Sequence, residues 1–163
     1  LSSREQHHMY KIDRDTDQID WILGLNGDFE IDEQDRFMRQ HAPEILPNGN
    51  ILLFDNGDTR EPNVRQWSRA LEIAYNENTM TAEAVWSFRP DPDIYSWLWG
   101  DADRLANGNT LITFGMRSST AGSNLIEVNA NAQEVWHMVT PAKWGIYRAD
   151  RIDEPIGYVI SER

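Results

Sequence analysis

The sequence predicts an all-β chain, a partial β-propeller ring of about two full four-stranded blades plus partial blades. A turn-and-strand segment occurs twice: Leu46-Pro47-Asn48-Gly49-Asn50-Ile51-Leu52-Leu53-Phe54 returns as Leu105-Ala106-Asn107-Gly108-Asn109-Thr110-Leu111-Ile112-Thr113-Phe114. A strand pair whose second member carries tryptophan occurs three times, at Trp21, Trp86 and Trp136. Few windows show a 3.6-residue apolar period, and Gly, Asn and Pro punctuate the chain too often for helices.

In each copy of the first element an Asn-Gly pair separates two strand-like runs. This suits a type I′ hairpin, in which both central residues take positive φ. The run after the turn is almost wholly apolar, as expected of a strand buried on both faces. In the second element, Tyr10-Lys11-Ile12-Asp13 leads to Ile19-Asp20-Trp21-Ile22-Leu23, Ala70-Leu71-Glu72-Ile73 to Ala84-Val85-Trp86-Ser87-Phe88, and Asn124-Leu125-Ile126-Glu127-Val128 to Glu134-Val135-Trp136-His137-Met138. Together they give the order of one blade: a polar inner strand, an apolar strand, an alternating strand and a Trp-bearing outer strand.

The chain divides into a half blade (1–24), a blade (about 40–88), a second blade (about 99–138) and a trailing segment (144–163). In that last segment Ile146-Tyr147-Arg148-Ala149-Asp150-Arg151-Ile152 echoes Asp101-Ala102-Asp103-Arg104-Leu105, so it is expected to start the next blade or to close a ring. Spacings of about 50 to 60 residues suit four-stranded blades with loop insertions. The insertion at about 25–39 is expected to hold a short helical turn, and Arg89-Pro90-Asp91-Pro92-Asp93 to form an inter-blade loop. Two blades and a half cannot close a ring, so the missing blades are expected from the same or another chain. The chain opens inside structured sequence, without an initiator Met or a signal-peptide pattern, which points to a larger parent chain.

Composition narrows the function classes. With 40% hydrophobic residues and seven Trp, the chain is too apolar for a disordered segment. The net charge of −12, from 27 acidic and 15 basic residues, disfavours nucleic acid and anionic membrane surfaces as partners. Absence of cysteine excludes disulfides, thiol catalysis and cysteine–metal sites. No apolar run approaches the roughly 20 residues that span a bilayer.

Several residues are candidates for chemistry. His41, in Arg39-Gln40-His41-Ala42-Pro43-Glu44, falls on an innermost strand whose residues face the central channel, and Gly100 stands at the matching place of the next repeat. A channel-facing imidazole acts as base or nucleophile near neutral pH, or it is a hydrogen-bonded structural group; the residues alone leave both open. Arg4, in Ser2-Ser3-Arg4, offers a donor fork that fits a tetrahedral oxyanion, or serves as an ion-pair partner. In Asp55-Asn56-Gly57-Asp58, Asp55 and Asn56 either ligate a cation at a blade edge or form a turn shaping the channel mouth. Arg69, after Ser68, either reaches the channel as an anion contact or stabilises the fold. Asp13, Asp15 and Asp17 mimic the start of a calcium loop, but Gln18 and Gly24 break the pattern, so a polar turn and no metal is expected. The recurring Trp21, Trp86 and Trp136 are expected to pack between blades. Tyr95-Ser96-Trp97-Leu98-Trp99 is a candidate entrance for an aromatic substrate. His7 and His8 begin a strand, and His137 lies on the outer edge far from the channel.

In their order and spacing, these segments resemble the aryl sulfate sulfotransferases, a nucleotide-independent propeller family. The resemblance is carried over about 1–90 by Ser2-Ser3-Arg4, Tyr10-Lys11-Ile12-Asp13, Trp21-Ile22-Leu23-Gly24, Gln40-His41, Leu52-Leu53-Phe54-Asp55-Asn56-Gly57-Asp58, Ser68-Arg69-Ala70 and Val85-Trp86. From about 98 to 138 it is to the family's blade repeat, as in Arg104-Leu105-Ala106-Asn107-Gly108-Asn109. It implies sulfuryl transfer from a phenolic sulfate ester to a phenol acceptor, with His41 as the nucleophile that becomes a transient sulfohistidine and Arg4 binding the sulfuryl group. It also implies no cofactor, a periplasmic or extracellular location, and further histidines on blades upstream of Leu1. The rival expectation is a propeller kept as a non-catalytic binding or structural module.

Overall fold

A computed structural model describes residues 1–60, 65–117 and 120–152, an all-β chain with no α-helix among them. Its strands are β1 (Ser2–Ser3), β2 (His8–Ile12), β3 (Ile19–Gly24), β4 (Glu30–Ile31), β5 (His41–Ile45), β6 (Ile51–Asp55), β7 (Arg69–Asn76), β8 (Thr81–Phe88), β9 (Asp101–Arg104), β10 (Thr110–Phe114), β11 (Asn124–Val128) and β12 (Glu134–Val139). They form three sheets, ordered β1-β2-β3, β4-β8-β7-β6-β5 and β12-β11-β10-β9. Consecutive strands pair antiparallel within each, and β4 alone adds to β8 in parallel. None closes into a barrel, and the succession of meandering sheets is consistent with a partial β-propeller. The short helical turn expected in the 25–39 insertion is a 3₁₀ turn at Glu33–Asp35. The described part of the trailing segment, 144–152, carries no strand; its remainder lies outside the described residues.

Strand β6 shows how the sheets stack. All five of its residues are buried, and their side chains alternate between two cores. Ile51 and Leu53 join Met9, Trp21 and Leu23 of the first sheet, together with Phe29 and Phe37 of the insertion. Leu52 and Phe54 join Ala102, Ile112, Phe114 and Ile126 of the third sheet, with the Phe54 and Phe114 rings edge to face at 5.2 Å. The middle sheet is therefore packed on both faces, which is why its apolar run is unbroken.

The recurring tryptophans sit at these junctions. Trp21 stands edge-on to Tyr75 of the next sheet at 5.4 Å, and the Arg104 guanidinium of the third sheet lies 4.9 Å from the Trp86 ring centre. Arg104 also pairs with Glu72 at 2.7 Å, which fastens the third sheet to the second. Trp136 occupies the same place on the third sheet but is 46% exposed. Beside it Arg151 pairs with Glu127 at 2.9 Å, repeating in the 144–152 segment the Arg104–Glu72 contact.

The repeated Asn-Gly turns are not type I′. Only the glycines, Gly49 and Gly108, take positive φ, at 88° and 84°. Gly49 N–H donates to Leu46 C=O, and Leu46 N–H donates to Asn50 C=O, both at 2.8 Å. This is a three-residue loop, a type I turn followed by one left-handed residue. The preceding asparagine does a different job: Asn48 Oδ1 accepts the Asn50 N–H, and Asn107 Oδ1 the Asn109 N–H, each at 3.0 Å. The Asp13 turn is likewise closed on itself, with Asp13 Oδ1 accepting from the N–H groups of Asp15 and Thr16 at 2.9 and 2.8 Å.

Candidate active site

His41 opens β5, an edge strand, where the pairing with β6 slips between His41 and Glu44. Arg39 and Ala42 on either side take positive φ, at 54° and 47°. An irregularity of this kind turns a side chain out of the regular pleat. At Gly100, the matching place in the next sheet, an added Cβ would lie 2.2 Å from Phe54 Cδ1, and φ is +136°. No side chain fits there, so the histidine has no framework counterpart.

Gln40 joins the His41 strand to the N-terminal segment. It is 1% exposed, and its Nε2 donates to Ser2 Oγ, Ser3 C=O and His8 C=O at 2.9, 3.2 and 2.8 Å. That anchorage holds Ser2-Ser3-Arg4 beside His41. Arg4 donates from Nη2 to Trp97 C=O at 2.7 Å and pairs through Nη1 with Glu5.

The His41 ring is oriented by Asn56. His41 Nδ1 lies 2.6 Å from Asn56 Oδ1. Asn56 is fully buried, and its Nδ2 donates to the carbonyls of Ser96 and Trp99, both at 2.7 Å. Two carbonyl neighbours fix which end of the amide is NH₂, so Oδ1 faces the ring and Nδ1 must carry the proton. In the neutral ring the lone pair is then on Nε2. Burial lowers the pKa of His41, and the charges of Arg4 and Arg39 lower it further, against the opposing hydrogen bonds of Asn56 and of the Arg39 backbone. A half-buried imidazole of this kind is neutral at neutral pH, the form in which an unprotonated ring nitrogen can serve as base or nucleophile.

Asp55 and Arg69 lie in a different network. Asp55 is fully buried, and its carboxylate meets Arg65 Nη2 at 3.0 Å and Arg69 Nε at 3.1 Å. It also accepts the Met38 N–H at 2.9 Å, while Arg69 Nη2 donates to Gln34 and Arg36 carbonyls at 3.1 and 3.0 Å. These ion pairs tie the 25–39 insertion to β6 and β7. His137 bonds to Asn124 at 2.8 Å on the outer strand pair. Of the aromatic stretch, Tyr95 and Trp97 line a cavity of about 320 Å3 with Arg4, Arg39, Arg60 and Asp58, whereas Trp99 packs against Tyr147.

Two groups escaped sequence reasoning. His7 is 7% exposed, accepts the Arg39 N–H on Nδ1 at 2.9 Å, and so directs Nε2–H toward Asp58 Oδ2, 3.7 Å away. It looked like the start of a strand because nothing local marks its long-range partners. The other is Asp101, Asp103 and Asp150, whose carboxylate oxygens lie within 4.8 Å of one another. Arg148 Nε is 3.1 Å from Asp101. Burial and then the Asp103 charge push Asp101 up to about 7; burial and then Glu44 push Asp103 up to about 6. The folded chain therefore keeps protons that the unfolded chain has released above about pH 4, so the contribution of this pair to stability is full below about pH 4, falls as pH rises, and is gone above about 7. The Asp101–Asp103 pair is expected to contribute about 1–3 kcal/mol more to the urea-derived stability at pH 5 than at pH 8, opposed in part by His7 and His41, whose lowered pKa values favour the fold as pH rises, and Asp101→Asn is expected to lose most of that contribution. A parent and an Asp101→Asn variant whose stabilities change alike from pH 5 to pH 8 contradict this.

Stacked antiparallel sheets that bring a half-buried imidazole beside a guanidinium define the class, an all-β protein consistent with a partial β-propeller. More particularly, the chain belongs to the arylsulfotransferase (ASST) family, whose model matches residues 1–148. Among curated proteins, arylsulfate sulfotransferase AssT of Escherichia coli O6:H1 (strain CFT073) is 29% identical over 150 residues, a match covering 71% of this chain. The match spans 25% of that relative's length.

Proposed function

We propose that the protein moves a sulfuryl group from a phenolic sulfate ester to a phenol through a sulfohistidine at His41. The observation that carries the reading is the Asn56 contact, which leaves His41 Nε2 unprotonated. In the first step Nε2 attacks sulfur, the N–S bond forms, and the S–O bond to the aryl group breaks with its electron pair leaving as phenolate. In the second, the acceptor phenol oxygen attacks sulfur, loses its proton to a base, and the N–S bond returns its electrons to the imidazole. Arg4 stabilises charge on the sulfuryl oxygens in both. Family membership supports this chemistry, which calls for no cofactor, and it supports a periplasmic or extracellular location. The exposed Trp136 face and the repeated Arg151–Glu127 pair support a further blade packed on β9–β12, drawn from the same or another chain.

The test is incubation of the full-length protein with a chromogenic aryl sulfate, with and without a phenol acceptor. Acceptor-dependent release of the chromophore together with a sulfated acceptor is expected. Release that ignores the phenol identifies a hydrolase, and no release identifies a non-catalytic module. Asn56 has its own signature. Asn56→Leu should lower kcat about 10–100-fold by freeing the ring. Asn56→Asp places a negative charge against His41, raises its pKa, and so should shift the acid limb of the rate profile to higher pH. An unmoved acid limb contradicts the positioning role.

A further inference from the structure

Beside the proposed site, three guanidiniums converge on one carboxylate. Glu5 Oε1 accepts from Arg4 Nη1 and from Arg39 Nη2, the latter at 2.8 Å, and Glu5 Oε2 lies 3.5 Å from Arg60 Nη1. Arg60 is held from behind by Asp58, whose oxygens take its Nε at 3.1 and 3.0 Å and its Nη2 at 2.8 Å. Asp58 is nearly buried, as are the Arg4 and Arg39 side chains at 19% and 16% exposure; Glu5 is 60% exposed. Arg4, Arg39 and Arg60 line the same cavity as Tyr95 and Trp97.

Like charges gathered in a sheltered cavity repel, and the Arg39 charge joins burial in lowering the Arg4 pKa. An anion between them offsets that cost, and Glu5 is the anion present. Its hold is loose, because the Glu5 end of these pairs is mostly in water and a long side chain gains entropy on swinging out. Guanidinium forks match the oxygens of a sulfate or carboxylate, and aromatic walls match an aryl body.

We propose that Arg4, Arg39 and Arg60 form a displaceable anion site that Glu5 fills in the resting protein, and that an aryl compound bearing an oxyanion group enters by expelling the Glu5 carboxylate. The site deepens the role given to Arg4 above and rests on that reading for its substrate class. Two sources share this chemistry, the sulfate ester donor and a phenol acceptor that carries a carboxylate.

The test is calorimetric titration at low ionic strength of full-length protein carrying His41→Ala, which binds without turning over. Inorganic sulfate is the first probe. Glu5→Gln is expected to tighten its Kd about fivefold by removing the resident competitor. Adding Arg60→Gln, at a half-exposed side chain, is expected to reverse most of the gain. Sulfate bound no tighter by Glu5→Gln, or equally tightly with and without Arg60, overturns the proposal. Phenyl sulfate and benzoate then separate the sources: both are expected to gain from Glu5→Gln, the tighter of the two assigning the site to donor or acceptor. Failure of both to gain overturns it. Because the nucleophile is already absent, these outcomes are independent of whether His41 is ever sulfated.

Discussion

His41→Ala is expected to lower sulfuryl transfer by roughly 10³-fold or more while leaving the fold intact. The nucleophile forms the covalent bond, so no neighbouring group replaces it. His41 is only half-buried, and the ring lost in the variant meets the Arg39 backbone and leaves one buried acceptor behind, Asn56 Oδ1. Leaving that oxygen unpaired costs about 1–3 kcal/mol, which shifts an unfolding midpoint without unfolding the sheet stack. Activity and stability thus separate sharply. Steady-state rates with an aryl sulfate and a phenol, alongside a urea titration of the same sample, measure both. Turnover within tenfold of the parent in a folded variant contradicts the nucleophile assignment.

Asp55→Ala is expected to show the opposite pattern, with a large loss of stability, about 3–5 kcal/mol. Removing this fully buried carboxylate strands Arg65 and Arg69, whose side chains are 18% and 10% exposed, without their common counter-charge. Those guanidiniums also hold the Gln34 and Arg36 carbonyls, so the 25–39 insertion loosens with them. Asp55→Asn keeps one acceptor oxygen, able to take the Met38 and Gly57 N–H groups and Arg65, but no charge, and should fall between the parent and the alanine variant. A strong fall in midpoint with residual activity per folded molecule supports a scaffolding role. A folded Asp55→Ala protein of unchanged midpoint that has lost transfer would place Asp55 in the chemistry instead.

These two residues show what the sequence made legible. His41 stood out because the repeat set it against Gly100, and the structure gives the reason: the Phe54 ring fills the space a side chain would need. Burial of β6 on both faces was readable because its apolar run is continuous. Asp55 and Asn56 are adjacent in one motif, yet one side chain ends in a buried ion pair and the other beneath His41. Strand alternation sends neighbours to opposite faces, and which face meets the site depends on partners far along the chain, here Arg69 and the carbonyls of Ser96 and Trp99. His7 and the Asp101–Asp103 pair were missed for the same reason, since their neighbours Arg39, Asp58 and Arg148 are brought in by tertiary packing. The turn type was misjudged because Asn-Gly serves two loop geometries; in this one only glycine needs positive φ, while asparagine caps a backbone N–H.

The most direct measurement is the intact mass of the full-length protein after brief mixing with an aryl sulfate in the absence of acceptor, followed by peptide mapping. One added sulfo group on the peptide containing His41, discharged when a phenol is added and absent from His41→Ala, is the predicted result. An unmodified protein that still transfers sulfuryl groups, or a label that survives in His41→Ala, contradicts the account.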